Sequence, residues 1–411
     1  MNATDAAPPD SSASRPSFPR WWALAGAYLL LIAHKPWALT TPQLWAEDGS
    51  IFLAQNDQLG ARAIVTPFQG YLHLLPRLVA WAASRLTDAA AWPRCYNLAA
   101  LLITLSLFAR ITSARLPLPG KPWLVLAFVL TAQTGEVLLN ITNLQWLTAF
   151  FLVLQLFLTR PTTAVQRAGD LLLTFVTSLT GPFALLLLPL FAGRWWHDRH
   201  RDNLALLLVI GAGAAVQAGF ILATPGVPDA TATPLHPLML LAVFGSRLIV
   251  WPIFGRHLAE TLPVAALAAL GGTIFAAIAI SSLRPHPRRD LRAQILVILV
   301  LLCAAGLWRV RPDTWETAGL VNGDRYFFIP RVLLAWLLIW EFHAQPRAIA
   351  YAARGLCLLG VLLELPRHME PAPPDYHWAE RCDPIRRGVP ANIPTLPEGW
   401  TLEYPGRPPS R

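Results

Sequence analysis

Long apolar runs separated by short polar or basic segments make up most of this chain. A helix of roughly 20 apolar residues crosses a hydrocarbon core of about 30 Å. The first run covers about 21–39, and the rest lie at about 95–114, 122–140, 143–159, 170–193, 203–223, 237–254, 262–283, 291–308, 327–342 and 349–365. The pattern predicts an all-α polytopic membrane protein with about nine to eleven transmembrane helices.

Composition agrees with this class. The chain has 411 residues, of which 55% are hydrophobic and 14% are charged, and this excludes a soluble globular domain. The net charge of +9 comes mostly from arginines between the apolar runs, so it predicts membrane topology and no nucleic-acid partner. Only Lys35 and Lys121 are lysines, a bias typical of a GC-rich bacterial genome. The four cysteines form no CxxC motif and predict no disulfide framework.

The segment before the first apolar run is rich in Pro, Ser and Ala. Residues 1–20 include Arg15 and Arg20 and predict a disordered cytoplasmic leader. A cleaved signal peptide is the alternative. It is disfavoured because no small-residue cleavage site follows Ala33, and the apolar character continues to Leu39.

Basic groups recur between the runs and set the predicted orientation. They are Arg15 and Arg20; Arg110, Arg115 and Lys121; Arg160 and Arg167; Arg194, Arg199 and Arg201; Arg284, Arg288, Arg289 and Arg292; and Arg347 and Arg354. All can be cytoplasmic only if two runs are irregular. Pro182 breaks the run 170–193, so two short segments dip in and return. The run 237–254 contains Arg247 and Pro252, which predicts an outer-face interfacial or re-entrant segment.

With these assignments residues 21–365 form the transmembrane domain, and the C-terminus is extracytoplasmic. The outer regions are the first loop 40–94, the loop 309–326 and the tail 366–411. Within the first loop, Tyr71–Leu86 has apolar residues at helical spacing and predicts a helix along the bilayer surface. The proline-rich tail predicts an irregular cap. The expected location is the bacterial inner membrane, as a multi-pass protein.

Two adjacent carboxylates, Glu47 and Asp48, follow the first run directly. Near the membrane surface such a pair can supply a general base, or ligands for a divalent cation such as Mg²⁺ or Mn²⁺. The alternative is a helix start, where acidic residues also occur. The sequence does not decide between these roles, nor which carboxylate is the base.

Arginines break the positive-inside pattern near the loop 309–326; they are Arg309, Arg311, Arg325 and Arg331. A guanidinium here can hold a phosphate at headgroup level, next to Tyr326. The alternative is a neutral loop in which these arginines pair with Asp313, Glu316 and Asp324.

A group of polar residues lies at another outer turn. Glu136 is followed by Asn140, Asn143, Gln145 and Trp146, side chains that suit sugar hydroxyls and a sugar ring face. Glu136 can instead reach interfacial water, and Trp marks any membrane interface.

Other motifs narrow the chemistry. His73 is a candidate contact for the sugar or acceptor, or an interfacial residue, and it lacks the neighbours of a zinc site. No GxGxxG or GxxxxGK[ST] motif occurs. A donor substrate would therefore arrive through the membrane.

Together these motifs resemble those of the GT-C superfamily of polytopic glycosyltransferases, in particular uncharacterised bacterial members related to O-antigen-modifying glucosyltransferases. The resemblance rests on Glu47-Asp48-Gly49, Asn140 to Trp146, Gly181-Pro182, Asp324-Arg325-Tyr326 and Pro397-Glu398-Gly399-Trp400. It implies transfer of a sugar from a polyprenyl-phosphate donor to an envelope glycan or lipid acceptor outside the cytoplasm, with membrane lipids as further partners.

The resemblance also implies roles. Asp48 would be the general base, with Glu47 as its partner or a metal ligand, while Arg325, Arg331 and Tyr326 would hold the donor phosphate. The chain departs from many members in lacking a large soluble C-terminal domain. A transporter or flippase of a lipid-linked sugar is the alternative, since it also needs outward arginines and broken helices. A non-catalytic envelope scaffold is a third.

Overall fold

A computed structural model describes residues 21–224, 237–309 and 323–407. The predicted leader and most of the loop 309–326 lie outside these ranges. The helices are α1 (Trp21–His34), α2 (Trp37–Thr40), α3 (Ala54–Leu59), α4 (Leu74–Leu86), α5 (Trp92–Thr112), α6 (Lys121–Leu130), α7 (Leu144–Phe157), α8 (Ala164–Ser178), α9 (Phe183–His197), α10 (Arg201–Ala223), α11 (Pro237–Phe244), α12 (Trp251–Phe254), α13 (Arg256–Thr261), α14 (Val264–Leu283), α15 (Arg289–Arg309), α16 (Phe328–Trp340), α17 (Arg347–Glu364), α18 (Trp378–Arg381) and α19 (Asp383–Arg387). Two π-helical segments, Asp48–Leu53 and Gly245–Val250, and the strands β1 (Ala391–Thr395) and β2 (Trp400–Tyr404) complete the main elements.

The chain is an all-α polytopic membrane protein in its main part. Over the described residues, seven helices are long and apolar enough to cross a membrane. Three shorter apolar helices, Trp22–His34, Lys121–Leu130 and Leu144–Phe157, correspond to runs that were predicted as full spans. The predicted number of nine to eleven is therefore reached only if these shorter helices are included.

The basic loops lie together on one side of the bundle, here named the arginine face. Four contacts join them: Arg110 to Asp170 at 2.6 Å, Arg160 to Asp198 at 2.5 Å, Arg292 to Glu341 at 2.7 Å, and the Trp340 indole N–H to the Pro119 carbonyl at 3.3 Å. The opposite side carries Glu47 and Asp48 and is named the motif face. This segregation matches the one predicted from the basic groups.

The two irregular runs behave differently from simple spans. The run 170–193 is divided into α8 and α9, and the Arg160–Asp198 ion pair brings its two flanks to the arginine face, as predicted. The run 237–254, predicted as an outer-face interfacial or re-entrant segment, is interrupted by the π-helical segment Gly245–Val250. With 18 residues it is nevertheless one of the seven helices long and apolar enough to cross a membrane, which that prediction did not include.

Helix α7 lies at the centre of the bundle. Thirteen of its side chains are buried, because α5, α8, α9 and α16 surround it. Aromatic rings interlock around it: Phe150 contacts Phe128 and Trp336 edge to face at centroid distances of 5.5 and 5.2 Å. A helix that is apolar on all sides is expected in such a position.

The tail folds onto the motif face. Strands β1 and β2 form an antiparallel hairpin in which Ile393 pairs with Leu402, and the two side chains are buried. The sequence analysis predicted an irregular cap and missed this hairpin. Each strand buries every second residue over its last three positions, but the prolines of the tail obscured this short alternation.

Candidate functional site

The tail holds the acidic motif in place. Leu396, which follows β1, donates a backbone hydrogen bond to the Leu44 carbonyl at 2.9 Å and accepts one from the Ala46 N–H. The methyl group of Thr395 approaches Gly49 so closely that a Cβ at this glycine would lie 3.3 Å from it. The conformation of the acidic turn therefore depends on the last forty residues of the described chain as well as on its own sequence.

Asp48 is completely buried and fully engaged. Its Oδ1 accepts hydrogen bonds from the Thr142 N–H at 2.8 Å and the Thr142 hydroxyl at 2.5 Å, while Oδ2 accepts a longer one from the Trp45 N–H. Burial raises the pKa of Asp48 to about 7, although the hydrogen bonds from Thr142 oppose this change. Asp48 thus joins the first outer loop to the turn before α7.

Glu47 has the more open carboxylate of the pair. It is half-buried, and no hydrogen bond or ion pair to its carboxylate occurs within the described ranges. It lies close enough to Asp48 and Arg325 to interact electrostatically with both. Glu47 is consequently the carboxylate that can meet a substrate without first breaking a protein contact.

Arg325 brings the positive charge to this group. Its Nη1 lies 2.7 Å from Oε2 of Glu136, and its side chain is 38% exposed, in contrast to 14% for Glu136. Tyr326 is turned into the bundle, where its ring contacts Trp146 edge to face at 4.9 Å. The structure pairs Arg325 with Glu136, leaves Glu47 close enough to Arg325 to interact electrostatically, and gives Tyr326 a packing contact with Trp146.

The asparagines build the turn that carries Glu136. The side-chain amides of Asn140 and Asn143 donate to the Glu136 carbonyl at 2.6 and 2.7 Å, and Asn143 N–H donates to Asn140 Oδ1 at 2.9 Å. Both residues are buried, so their amides are already occupied. Gln145 is also buried and lies against Gly181, at the break between α8 and α9.

Lys35 is a member of this group that the sequence analysis did not select. Its buried ammonium lies 3.5 Å from Oε2 of Glu370 and donates to the carbonyls of Gly135 and Leu138. It also lies 4.6 Å from the ring centroid of Trp45. The sequence did contain a signal that could have identified Lys35: it is one of only two lysines in an arginine-rich chain, and it lies near the end of the first apolar run.

Glu370 is the corresponding anchor in the tail. Besides Lys35 it contacts the His34 Nε2 at 3.2 Å, and its N–H donates to the His34 carbonyl at 2.8 Å. Burial alone would raise the pKa of Glu370, but Lys35 and His34 outweigh burial and hold the pKa below its usual value. The carboxylate is therefore charged at neutral pH and ties the tail to the end of α1.

Arg331 lies in a different environment from the one predicted. It is buried, its Nη2 lies 2.7 Å from Asp324 Oδ1, and its Nε and Nη1 donate to the Arg247 and Ala132 carbonyls at 2.6 and 2.8 Å. Its guanidinium also lies 4.3 Å from the ring centroid of Trp251. Because the guanidinium donors of Arg331 are used within the protein, we assign this residue a structural role as the ion-pair partner of Asp324. It is not available to bind a phosphate group.

His73 is packed among aromatic rings. Its ring centroid is 4.7 Å from that of Tyr71 and 5.8 Å from that of Phe52. Burial and the nearby Arg77 guanidinium lower the pKa of His73 to about 3, so the imidazole is neutral. The imidazole is buried in this environment and offers no open face to a sugar.

Two connected cavities lie beside Gly135 and Glu370, and neither is lined by Glu47, Glu136 or Arg325. The first, of about 200 Å³, has a largely polar and charged lining. Its charged lining residues are His34, Arg256, Glu364, Arg367, His368 and Glu370. The second, of about 430 Å³, lies between α6, α12, α16 and α17 and is mainly apolar. They share Leu130, Thr131, Ala132 and Val361, so a polar chamber continues into an apolar groove.

The predicted divalent cation has no matching set of ligands. Among residues 21–224, 237–309 and 323–407, no group of three or more His, Cys, Asp or Glu side chains could hold a metal ion. Asp48 already accepts three hydrogen bonds, which leaves Glu47 without a partner ligand.

Comparisons with known proteins give no relative: no protein-family model, no curated protein and no solved structure matches the chain. The functional argument therefore rests on the residues and their geometry.

Proposed function

We propose that this protein is a membrane glycosyltransferase of the GT-C type, which transfers a sugar from a polyprenyl-phosphate donor to an acceptor outside the cytoplasm. The observation that carries the proposal is the partly exposed ion pair of Arg325 with Glu136, with Glu47 near enough to interact electrostatically with Arg325. A polar chamber lined by Gly135, the neighbour of Glu136, opens into an apolar groove. A carboxylate base and a cation for a phosphate leaving group are the two functions that this reaction requires.

The amphiphilic cavity suits a lipid phosphate. An isoprenoid tail would lie in the apolar groove, and Arg256 and Arg367 would contribute positive charge at its polar end. Arg256 is paired with Glu260 at 2.7 Å, and this partly exposed pair can open at low cost. The lining thus matches the two halves of such a donor.

In the proposed reaction the acceptor hydroxyl attacks the anomeric carbon of the sugar. The bond between this carbon and the phosphate oxygen breaks, and the polyprenyl phosphate leaves with the electron pair. Glu47 takes the proton of the hydroxyl, and Arg325, released from Glu136, stabilises the charge that develops on the phosphate. Asp48 holds the turn through Thr142. This assignment exchanges the roles that the family resemblance implied for Glu47 and Asp48.

The orientation follows from the segregated charges. If the arginine face is cytoplasmic, as the positive-inside rule favours, the motif face and the tail are extracytoplasmic. A bacterial inner-membrane location, with an envelope glycan or lipid as acceptor, fits this orientation.

The test uses the full chain in nanodiscs with a panel of polyprenyl-phosphate sugars, and it measures release of polyprenyl phosphate. We expect release by the wild type and loss of at least a hundredfold in Glu47→Gln and Arg325→Ala. Glu403→Gln, at an exposed carboxylate on β2, is the matched control and should retain activity. If Glu47→Gln keeps full activity and Asp48→Asn loses activity, Asp48 and not Glu47 is the general base.

The apolar groove also favours a second candidate, a flippase for a lipid-linked sugar, since it could hold the tail of a moving lipid. The discriminating experiment follows a labelled lipid-linked sugar in proteoliposomes. Movement between leaflets without release of polyprenyl phosphate would favour the flippase and contradict the transferase. If neither release nor movement occurs with any lipid of the panel, a scaffold is the better proposal.

A further inference from the structure

The corner between α9 and α10 on the arginine face has a distinctive surface. Helix α9 ends at His197, and α10, one of the seven candidate membrane spans, begins at Arg201. The corner therefore lies where a spanning helix leaves the hydrocarbon region. We name the group Trp195, Trp196, Arg199 and Arg201 the tryptophan corner.

Arg199 lies against both indole rings. Its guanidinium carbon is 4.3 Å from the ring centroid of Trp195 and 4.0 Å from that of Trp196. Its Nε donates to the Trp196 carbonyl at 3.3 Å, which leaves the two terminal nitrogens for another acceptor. Trp196 is 71% exposed although it is a large aromatic side chain. The arrangement holds a cation and an exposed ring in one fixed position.

The acidic residues nearest in the chain are already paired with other arginines. Asp198 binds Arg160 at 2.5 Å, and Asp202 binds Arg167 at 2.7 Å. Arg199 and Arg201 are exposed, and no carboxylate lies within ion-pair distance of either in the described part of the chain. The tryptophan corner thus keeps the positive charge of two arginines at the membrane boundary.

We propose that the tryptophan corner binds the phosphate headgroup of an anionic phospholipid. Trp side chains are placed favourably at headgroup depth, where the indole ring meets both the apolar and the polar layer. A guanidinium provides parallel donors to phosphate oxygens, and each arginine near an anionic surface adds about 1 kcal/mol of attraction. The site is on the face opposite to Glu47 and Arg325 and does not depend on the proposed transfer reaction.

Native mass spectrometry of the full-length protein tests this site. The protein is purified in detergent and equilibrated with equal amounts of phosphatidylglycerol and phosphatidylcholine, and the ratio of the two retained lipids is measured. We expect the wild type to prefer phosphatidylglycerol, and the ratio to fall about fivefold in Arg199→Ala. Trp196→Ala should lower it as well, because the ring that holds the guanidinium is lost.

Arg288→Ala is the matched control. Arg288 is exposed in the α14–α15 loop on the same face, and within the described ranges its guanidinium is not stacked on a tryptophan ring. An equal fall in Arg288→Ala would show that only the overall charge of the face matters and would overturn the proposal. An unchanged ratio in both Arg199→Ala and Trp196→Ala would overturn it too, and so would complete displacement of the lipid by inorganic phosphate. Unfolding temperatures close to the wild-type value confirm that the variants are folded.

Discussion

The hydroxyl of Thr142 donates a hydrogen bond of 2.5 Å to Oδ1 of Asp48, and this contact joins two segments 94 residues apart. The first segment carries the acidic motif, and the second carries Glu136 six residues before Thr142. A buried carboxylate needs such donors, because an unsatisfied charge in a dry environment is costly. This pair therefore helps to fix the position of Glu47 relative to Glu136.

We predict that Thr142→Val destabilises the protein by about 1–3 kcal/mol, because the hydroxyl donor to a buried carboxylate is lost. Thr142→Ser retains the hydroxyl and should remain close to the wild type. The measurement is the midpoint of denaturant-induced unfolding in detergent micelles. If both variants have the same midpoint as the wild type, the hydrogen bond contributes nothing to stability.

The pH dependence of stability should reflect Asp48. Burial raises its pKa to about 7 from 3.8, so the folded state binds a proton more tightly than the unfolded state. The contribution of this group is most favourable at low pH, decreases as the pH rises from about 4 to about 7, and amounts to roughly 4 kcal/mol over that interval.

Asp48→Asn removes this titration and retains an acceptor for Thr142. As the pH rises from 5 to 8, we therefore expect Asp48→Asn to become more stable relative to the wild type. The measurement is the unfolding midpoint of both proteins at pH 5 and at pH 8. Parallel curves for the two proteins would contradict the raised pKa. The control is Asp375→Asn, at an exposed position of the tail, which should leave the pH dependence of stability unchanged. Asn143 cannot serve as a control position because its amide supports the turn that carries Glu136.

The sequence predicted the class of fold, but it did not predict which contacts the candidate site residues make. The spacing of apolar runs and basic loops is sufficient to predict a helical bundle with two opposite faces, since both follow from the cost of burying polar groups in lipid. The partners of Arg325 and Arg331 depend on which side chains meet after folding. Both are arginines near one loop, yet one is partly exposed beside Glu136 and the other is buried with Asp324.

Lys35 and Glu370 illustrate the same limit. They are 335 residues apart, and no local pattern links the end of the first span to the tail. Their ion pair is a long-range consequence of how the tail folds back over the motif face. The hairpin was missed for a related reason, because two five-residue strands, one of them interrupted by Pro394, carry little periodicity.

Removing the Arg331 guanidinium should lower the stability of the protein if Arg331 is a structural partner of Asp324. It should lower the affinity for the donor if Arg331 binds the donor phosphate. Arg331→Met should destabilise the protein by about 3–5 kcal/mol, because it leaves the Asp324 carboxylate buried without its partner. The double variant Arg331→Met with Asp324→Asn should recover much of this loss. Unfolding midpoints of the two variants and the wild type measure the effect. A stable Arg331→Met protein with weakened donor binding would instead support a phosphate contact for Arg331.

A close approach of two backbones gives the last prediction. A Cβ at Gly271 of α14 would lie 2.2 Å from the Gly245 Cα, so the π-helical segment and α14 can pack at this distance only with glycine. Gly272, the next residue, has no atom within 4 Å of a Cβ position and provides a matched control in the same helix. We expect Gly271→Ala to destabilise by about 1–3 kcal/mol through overpacking. Gly272→Ala should be neutral or stabilise by up to about 1 kcal/mol, because alanine favours the helix. Equal unfolding midpoints for the two variants would mean that the π-helical segment and α14 are not in contact at Gly245 and Gly271. The position of Arg247, whose carbonyl accepts a hydrogen bond from Arg331, would then have no support from this contact.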